Sequence, residues 1–158
     1  MKRKFLILLF SLPLFMLMTN PIFAQGEPGT QLRKHSIQGS VGTLGVYFSA
    51  IGTYEYIFWQ NKKTHLATFA RAGYGGYAVL LATGGGVALF EGGILTGASK
   101  SHFEAAIGLS YFMPKDENEF TAPAASVGYR LQKPGGHFIF RTGLGYPEAL
   151  YVGLGVAF

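Results

Sequence analysis

The sequence predicts an all-β fold: an eight-stranded antiparallel up-and-down transmembrane β-barrel with a filled polar lumen. Three observations predict it. Segments in which large apolar residues alternate with small or polar ones recur through residues 36–158, with turn-forming residues between them. The 3.6-residue periodicity of long helices is missing from the same region. Finally, the charges inside these segments fall on the face opposite the aromatic residues, three of each sign.

Residues 1–24 are set apart from this pattern. Lys2, Arg3 and Lys4 precede an apolar run from Phe5 to Met18, and TNPIFA leads to an expected cleavage after Ala24. That is the layout of a secretory signal peptide, and the run is short for a membrane-spanning helix. Its removal takes three positive charges off the formal +5, leaving +2. No basic cluster longer than Arg33-Lys34 or Lys62-Lys63 then remains, which gives no nucleic-acid footprint. The chain has no Cys, so an exported form folds without disulfides and carries no lipid on an N-terminal Cys. Residues 25–35 read as a polar tail and 36–158 as the barrel.

The expected strands are 36–47, 51–59, 65–76, 86–97, 102–113, 121–132, 137–146 and 150–158. Side chains alternate faces along a strand. In the second, Tyr54, Tyr56 and Phe58 oppose Glu55. In the third, Leu66, Ala70, Ala72 and Tyr74 oppose Arg71. The fourth sets Phe90 and Ile94 against Glu91. The fifth sets Phe103, Ile107, Leu109 and Tyr111 against His102, Glu104 and Ser110. In the sixth, Val127, Tyr129 and Leu131 oppose Ser126, Gly128 and Arg130. In the seventh, Phe138, Phe140, Leu144 and Tyr146 oppose His137, Arg141, Gly143 and Gly145. The eighth puts Leu150, Val152, Leu154, Val156 and Phe158 on one face, with Tyr151, Gly153, Gly155 and Ala157 on the other.

The connections alternate in kind. QNKKT, ASKS and QKPGG are tight and polar, whereas YAVLLATGGG and PKDENEF are longer. Pro114, Pro134 and Pro147 are expected in the links, where a missing N–H costs nothing. Alternating short turns and longer loops is the habit of membrane barrels, with the short turns on the periplasmic side.

The position of the charges separates two kinds of barrel. A soluble barrel would turn Glu55, Arg71, Glu91, Glu104, Arg130 and Arg141 to water, and a membrane barrel turns them inward and the aromatics to lipid. These six are mid-strand and flanked by aromatics, while Lys is confined to the tail, turns and loops. Eight strands leave an interior wide enough only for side chains. The expectation is therefore an ion-paired lumen with no open pore, in which glycines make room for Arg and Glu.

The last strand must pair with the first, since no open edge is tolerated in lipid. Its outward series of Leu150, Val152, Leu154, Val156 and Phe158 resembles the C-terminal signal of bacterial outer-membrane barrel proteins that the barrel-assembly machinery reads. With the leader and the eight segments, the chain resembles small outer-membrane barrels of the OmpA/OmpX-like size class. FRTGLGYPEALYVGLGVAF is similar to stretches of uncharacterised Bacteroidetes barrel proteins. The resemblance implies a Gram-negative outer membrane, with its lipids and lipopolysaccharide as surroundings. It also implies a non-enzymatic structural, envelope-integrity or surface-interaction role without a cofactor, the surface partner being open. Two other readings stand beside it. One is a secreted lipocalin-like barrel around an apolar ligand, and the other is a lipid A-modifying barrel enzyme.

His65, His102 and His137 each open a strand with inward parity, and His35 precedes the first. Their convergence on a metal is the sharper reading and polar side chains at a barrel mouth the plainer one; no metal is expected. Catalysis on lipid A would need a His near the extracellular rim. That rim is expected to carry Asp116, Glu117, Glu119, Glu148 and Thr83, and no His. Gly42 to Gly45 and Gly84 to Gly86 are not phosphate loops, because no Lys-Ser/Thr and no helix follows. Trp59 and the Tyr residues at strand ends fit an interfacial aromatic girdle.

Overall fold

A computed structural model describes residues 31–61, 63–81, 84–97, 99–115 and 118–158. The leader expected at 1–24 lies outside them. Eight strands follow one another: β1 (His35–Leu44), β2 (Tyr47–Asn61), β3 (Leu66–Val79), β4 (Gly84–Thr96), β5 (Ser101–Pro114), β6 (Phe120–Gln132), β7 (Phe138–Tyr146) and β8 (Ala149–Ala157). Each pairs antiparallel with the next, and β8 pairs antiparallel with β1, so the sheet is a closed barrel. The seam is finished by His35 and Phe158, whose backbones exchange two hydrogen bonds at 3.2 and 2.8 Å. Closure leaves no unpaired edge between the eight strands.

The strand-linking turns divide between two ends. Those after β2, β4 and β6 share one end with His35 and Phe158, here the terminal end. Those after β1, β3, β5 and β7 share the other, the loop end.

Several boundaries differ from the sequence expectation. The first turn was expected near 48–50, but Leu44 pairs with Tyr47 and only Gly45 and Val46 make the turn. Gly45 has φ +66°, a backbone that glycine adopts without steric cost. Ser49 and Ala50 are small for another reason: they are the inward and outward faces of β2. YAVLLATGGG is mostly strand, not loop, because Tyr77 pairs with Gly85 and Ala78 with Gly84. Pro114 is the last residue of β5 rather than a link residue. The tail is also not all tail. Leu32 is buried among Ile57, Ala67, Phe69, Leu95 and Ala106, closing the terminal mouth.

Gln60 holds that closure. Its side-chain oxygen accepts from Leu32 N–H at 2.9 Å, and its amide donates to Leu32 C=O at 2.8 Å. A register shift between Ile57 and Trp59 aims it there. Phe58 and Trp59 both end up exposed, and the next side chain turns to the mouth. Arg33 Nε donates to Gly135 C=O, and Gly135 N–H donates to Gln31 C=O, tying the same segment to the β6–β7 turn.

Side-chain polarity is inverted relative to a soluble protein. The bulkiest fully buried residues are Arg71, Arg130 and Arg141. Ile107 is 75% exposed, and Val41, Tyr74, Phe90, Leu109, Leu150 and Leu154 are each more than half exposed. The apolar interior lies at the ends: the Leu32 layer at one, and Ile51, Val87 and Phe112 with Tyr77 and Ala122 toward the other. The charged residues thus form one layer, with an apolar cluster toward either end.

Candidate functional site

The middle layer is a network of ion pairs. Arg71 stands opposite Glu55 on β2 and opposite Glu91 on β4, so three neighbouring strands present an alternating row of charge. Its Nη2 donates to Glu55 at 2.8 Å and its Nη1 to Glu91 at 3.2 Å. From β5, Glu104 reaches past β4 and accepts from Arg71 Nη2 at 2.7 Å.

On the far wall, Arg130 and Arg141 are directly paired across β6 and β7. Two like charges at that spacing repel in a low-dielectric interior unless an anion joins them. Glu104 does so: Oε2 accepts from Arg130 Nε at 2.8 Å and Oε1 from Arg141 Nη2 at 2.7 Å. Arg130 also grips Glu55 with two nitrogens, at 2.7 and 2.6 Å, the bidentate fork that suits a carboxylate. Phe69 lies beneath the guanidiniums of Arg71 and Arg130, at 4.7 and 5.7 Å from its ring centre.

All six charges expected in the lumen are therefore brought together, and a seventh joins them. Glu148, expected at the extracellular rim, is buried and its carboxylate lies 3.7 Å from Arg141. Ser40 donates to its side chain at 2.5 Å and Ser49 to its backbone carbonyl at 2.9 Å. The β7–β8 turn dips into the barrel to put it there. Tyr47 O–H holds Pro147 C=O at 2.8 Å, and Ala149 takes a left-handed φ of 64°. Gly42 makes the dip possible, since a Cβ there would sit 1.7 Å from the Glu148 carbonyl oxygen. A turn residue carries no parity, so alternation could not find Glu148; the only signal was the unusual Gly42.

Four carboxylates then face three guanidiniums. Arg141 is the least satisfied of the three, with Nε and Nη1 unpartnered and its guanidinium stacked 5.0 Å over Tyr151. Room for the Tyr151 hydroxyl comes from Gly128 and Gly143, where a Cβ would lie 2.6 and 2.7 Å from it. Among these luminal positions, the glycines make space for a tyrosine and a turn more than for Arg and Glu themselves.

The histidines do not gather. His35 packs outside, stacked on Phe158 at 5.9 Å, with its Nδ1 2.6 Å from the Tyr54 hydroxyl. His65 is exposed in the β2–β3 turn. His102 is buried with Nε2 3.0 Å from the Gln132 carbonyl, and His137 Nδ1 is 2.9 Å from the Ala157 carbonyl. Among the described residues no group of three or more His, Cys, Asp or Glu is placed to hold a metal ion. Of the residues expected at the extracellular rim, Glu119 accepts from the Tyr111 hydroxyl, while Asp116, Glu117 and Thr83 lie outside the described residues. On β8, Leu150, Val152, Leu154 and Val156 project outward and exposed, and Phe158, just past its end, is exposed too.

No protein-family model matches the chain, and no curated protein matches it. Among solved structures, it is similar to a chain described as de novo design of transmembrane beta-barrels. The identity is 17%, the TM-score 0.48, and the match covers 85% of this chain and 98% of that one.

Proposed function

We propose that the chain is a non-enzymatic barrel of a Gram-negative outer membrane. In this reading it has a structural, envelope-integrity or surface-interaction role and no open pore. The observation that carries it is the inverted polarity of a closed barrel: ion pairs inside, a continuous belt of large apolar side chains outside. An exposed apolar area of that extent is an aggregation liability in water and is matched by lipid. Strands of nine to fifteen residues suffice for a tilted crossing, which takes about 9–11.

A lipocalin-like barrel needs an apolar cavity, whereas this interior is occupied by three Arg and four Glu side chains with an apolar cluster toward either end. The same filling argues against conduction. The luminal acids and bases are engaged with one another, which leaves a structural rather than catalytic role for them. The outward series ending in Phe158 suits recognition by the barrel-assembly machinery, and the likeness of FRTGLGYPEALYVGLGVAF to Bacteroidetes barrels suggests the kind of cell.

The test is heat-modifiability of protein refolded in detergent. A folded membrane barrel runs differently on gels before and after boiling and shows β-type circular dichroism only with detergent or lipid. A chain that folds and stays monodisperse in plain buffer would overturn the reading. Planar-bilayer recordings should show no steady conductance.

A further inference from the structure

Charge is distributed unevenly along the barrel axis. Among the described residues, every Lys and Arg lies in the lumen or at the terminal end, with the exception of Lys115. Arg33 and Lys34 precede β1, Lys63 lies in the β2–β3 turn, Lys100 in the β4–β5 turn and Lys133 in the β6–β7 turn. Each connection at this end thus contributes a cation, and the closed topology sets them around one circumference. Residues 31–34, 62–65, 97–100 and 133–137 contain no Asp or Glu to neutralise them. Lys34, Lys63 and Lys100 are exposed. The Arg33 side chain is braced against Gly135, and Lys133 Nζ is buried without a hydrogen-bond partner.

Directly beside these cations is a ring of exposed aromatics: Phe58 and Trp59 at the end of β2, Phe103 at the start of β5, Phe138 at the start of β7, and Phe158. Aromatic residues of this kind sit at the level of lipid headgroups, and cations just beyond them face the phosphates.

We propose that the terminal end is a cationic collar that binds the anionic phospholipid headgroups of the leaflet it stands in. The proposal rests on the membrane reading above and adds a lipid preference to it. The ligand chemistry is a phosphodiester carrying net negative charge on a diacyl lipid. A zwitterionic headgroup offers the same phosphate with its charge cancelled. The attraction is electrostatic and multivalent, so it falls with salt and with each cation removed.

Trp59 is the sole tryptophan and stands in this rim, so its fluorescence reports the lipids next to the collar. The full chain is refolded into phosphatidylcholine vesicles containing increasing brominated phosphatidylglycerol or, separately, brominated phosphatidylcholine. Bromines quench Trp59 on contact. Quenching by the anionic lipid is expected at the lower mole fraction. The preference should drop about fivefold for each exposed cation removed in the combined Lys34→Gln, Lys63→Gln, Lys100→Gln variant. It should also vanish in about 1 M salt, where the screening length is about 3 Å. Lys115→Gln, at the other end, should leave it unchanged. Equal quenching by the two lipids, or a preference that survives both salt and the triple variant, overturns the collar. Should the triple variant fail to fold, Lys63→Gln alone and the salt series on the unaltered chain decide the question. No quenching by either lipid would instead overturn the membrane reading itself.

Discussion

Arg71 on β3 and Glu104 on β5 are 33 residues apart in sequence and separated by β4, yet their side chains meet at 2.7 Å inside the barrel. Glu104 accepts from Arg130 and Arg141 as well, so one carboxylate joins guanidiniums from three strands on both sides of the lumen. The network is a cross-brace through a barrel whose backbone ladders connect only neighbouring strands.

Loss of that hub should be the most damaging change in the layer. Glu104→Gln takes an acceptor from Arg71 and Arg130 and leaves Arg141 without its close carboxylate, and should cost about 3–5 kcal/mol, the usual penalty for stranding a buried partner. Glu91→Gln should cost clearly less, because Glu91 meets a single guanidinium at 3.2 Å and a serine at 3.3 Å. Urea unfolding in lipid vesicles would rank them, and equal losses would contradict the hub.

Arg141→Ala should also lower stability, and adding Glu104→Gln should cost less than the two single losses combined. Residues in one buried network couple by about 0.5–3 kcal/mol. Simple additivity in the double-mutant cycle would mean that the contacts are not energetically linked.

Gly42 is expected to be intolerant of any side chain. Gly42→Val drives its Cβ into the Glu148 carbonyl and should expel the β7–β8 turn from the mouth, at a cost of about 1–3 kcal/mol. The unfolding midpoint gives the loss, and proteolysis after Glu148 reports whether the turn has swung out. A variant as resistant as the parent would refute the tight fit.

The terminal mouth depends on Leu32 and its clamp. Gln60→Ala removes two hydrogen bonds, worth about 1 kcal/mol each, and frees the Leu32 segment. Stability should fall, but bilayer recordings should stay silent, since the charged layer still fills the lumen. Appearance of steady conductance would place the barrier at Leu32 and not at the ion pairs.

The outer wall gives the most direct test of the surrounding solvent. Ile107 is exposed midway along β5, and Ile107→Arg should cost about 2–4 kcal/mol in a bilayer. The same change on a barrel standing in water would be close to neutral. Refolding yields into vesicles, compared with the parent chain, distinguish the two.

The fold was legible because a closed barrel imposes a simple rule on each strand. One parity meets the packed interior and the other the outside, and the strict period of two makes both readable without any partner. Glu55, Arg71, Glu91, Glu104, Arg130 and Arg141 all obey it, as do the outward residues from Tyr54 to Phe158. Turn positions were less legible. Gly84 to Gly86 and Tyr77 to Val79 have loop-like or mixed composition, but pairing across β3 and β4 supplies hydrogen bonds that override it.

By itself, then, the amino-acid sequence determined the number of strands, the face each mid-strand charge takes and the inversion of polarity, because these follow from alternation along a single strand. Tertiary structure alone decided which charges touch, how Gln60 clamps Leu32 and how Glu148 enters the lumen. Those contacts join different strands, up to 108 residues apart, or leave the strand parity at a bulge or a turn. Their geometry depends on closure of the barrel, which no local pattern encodes.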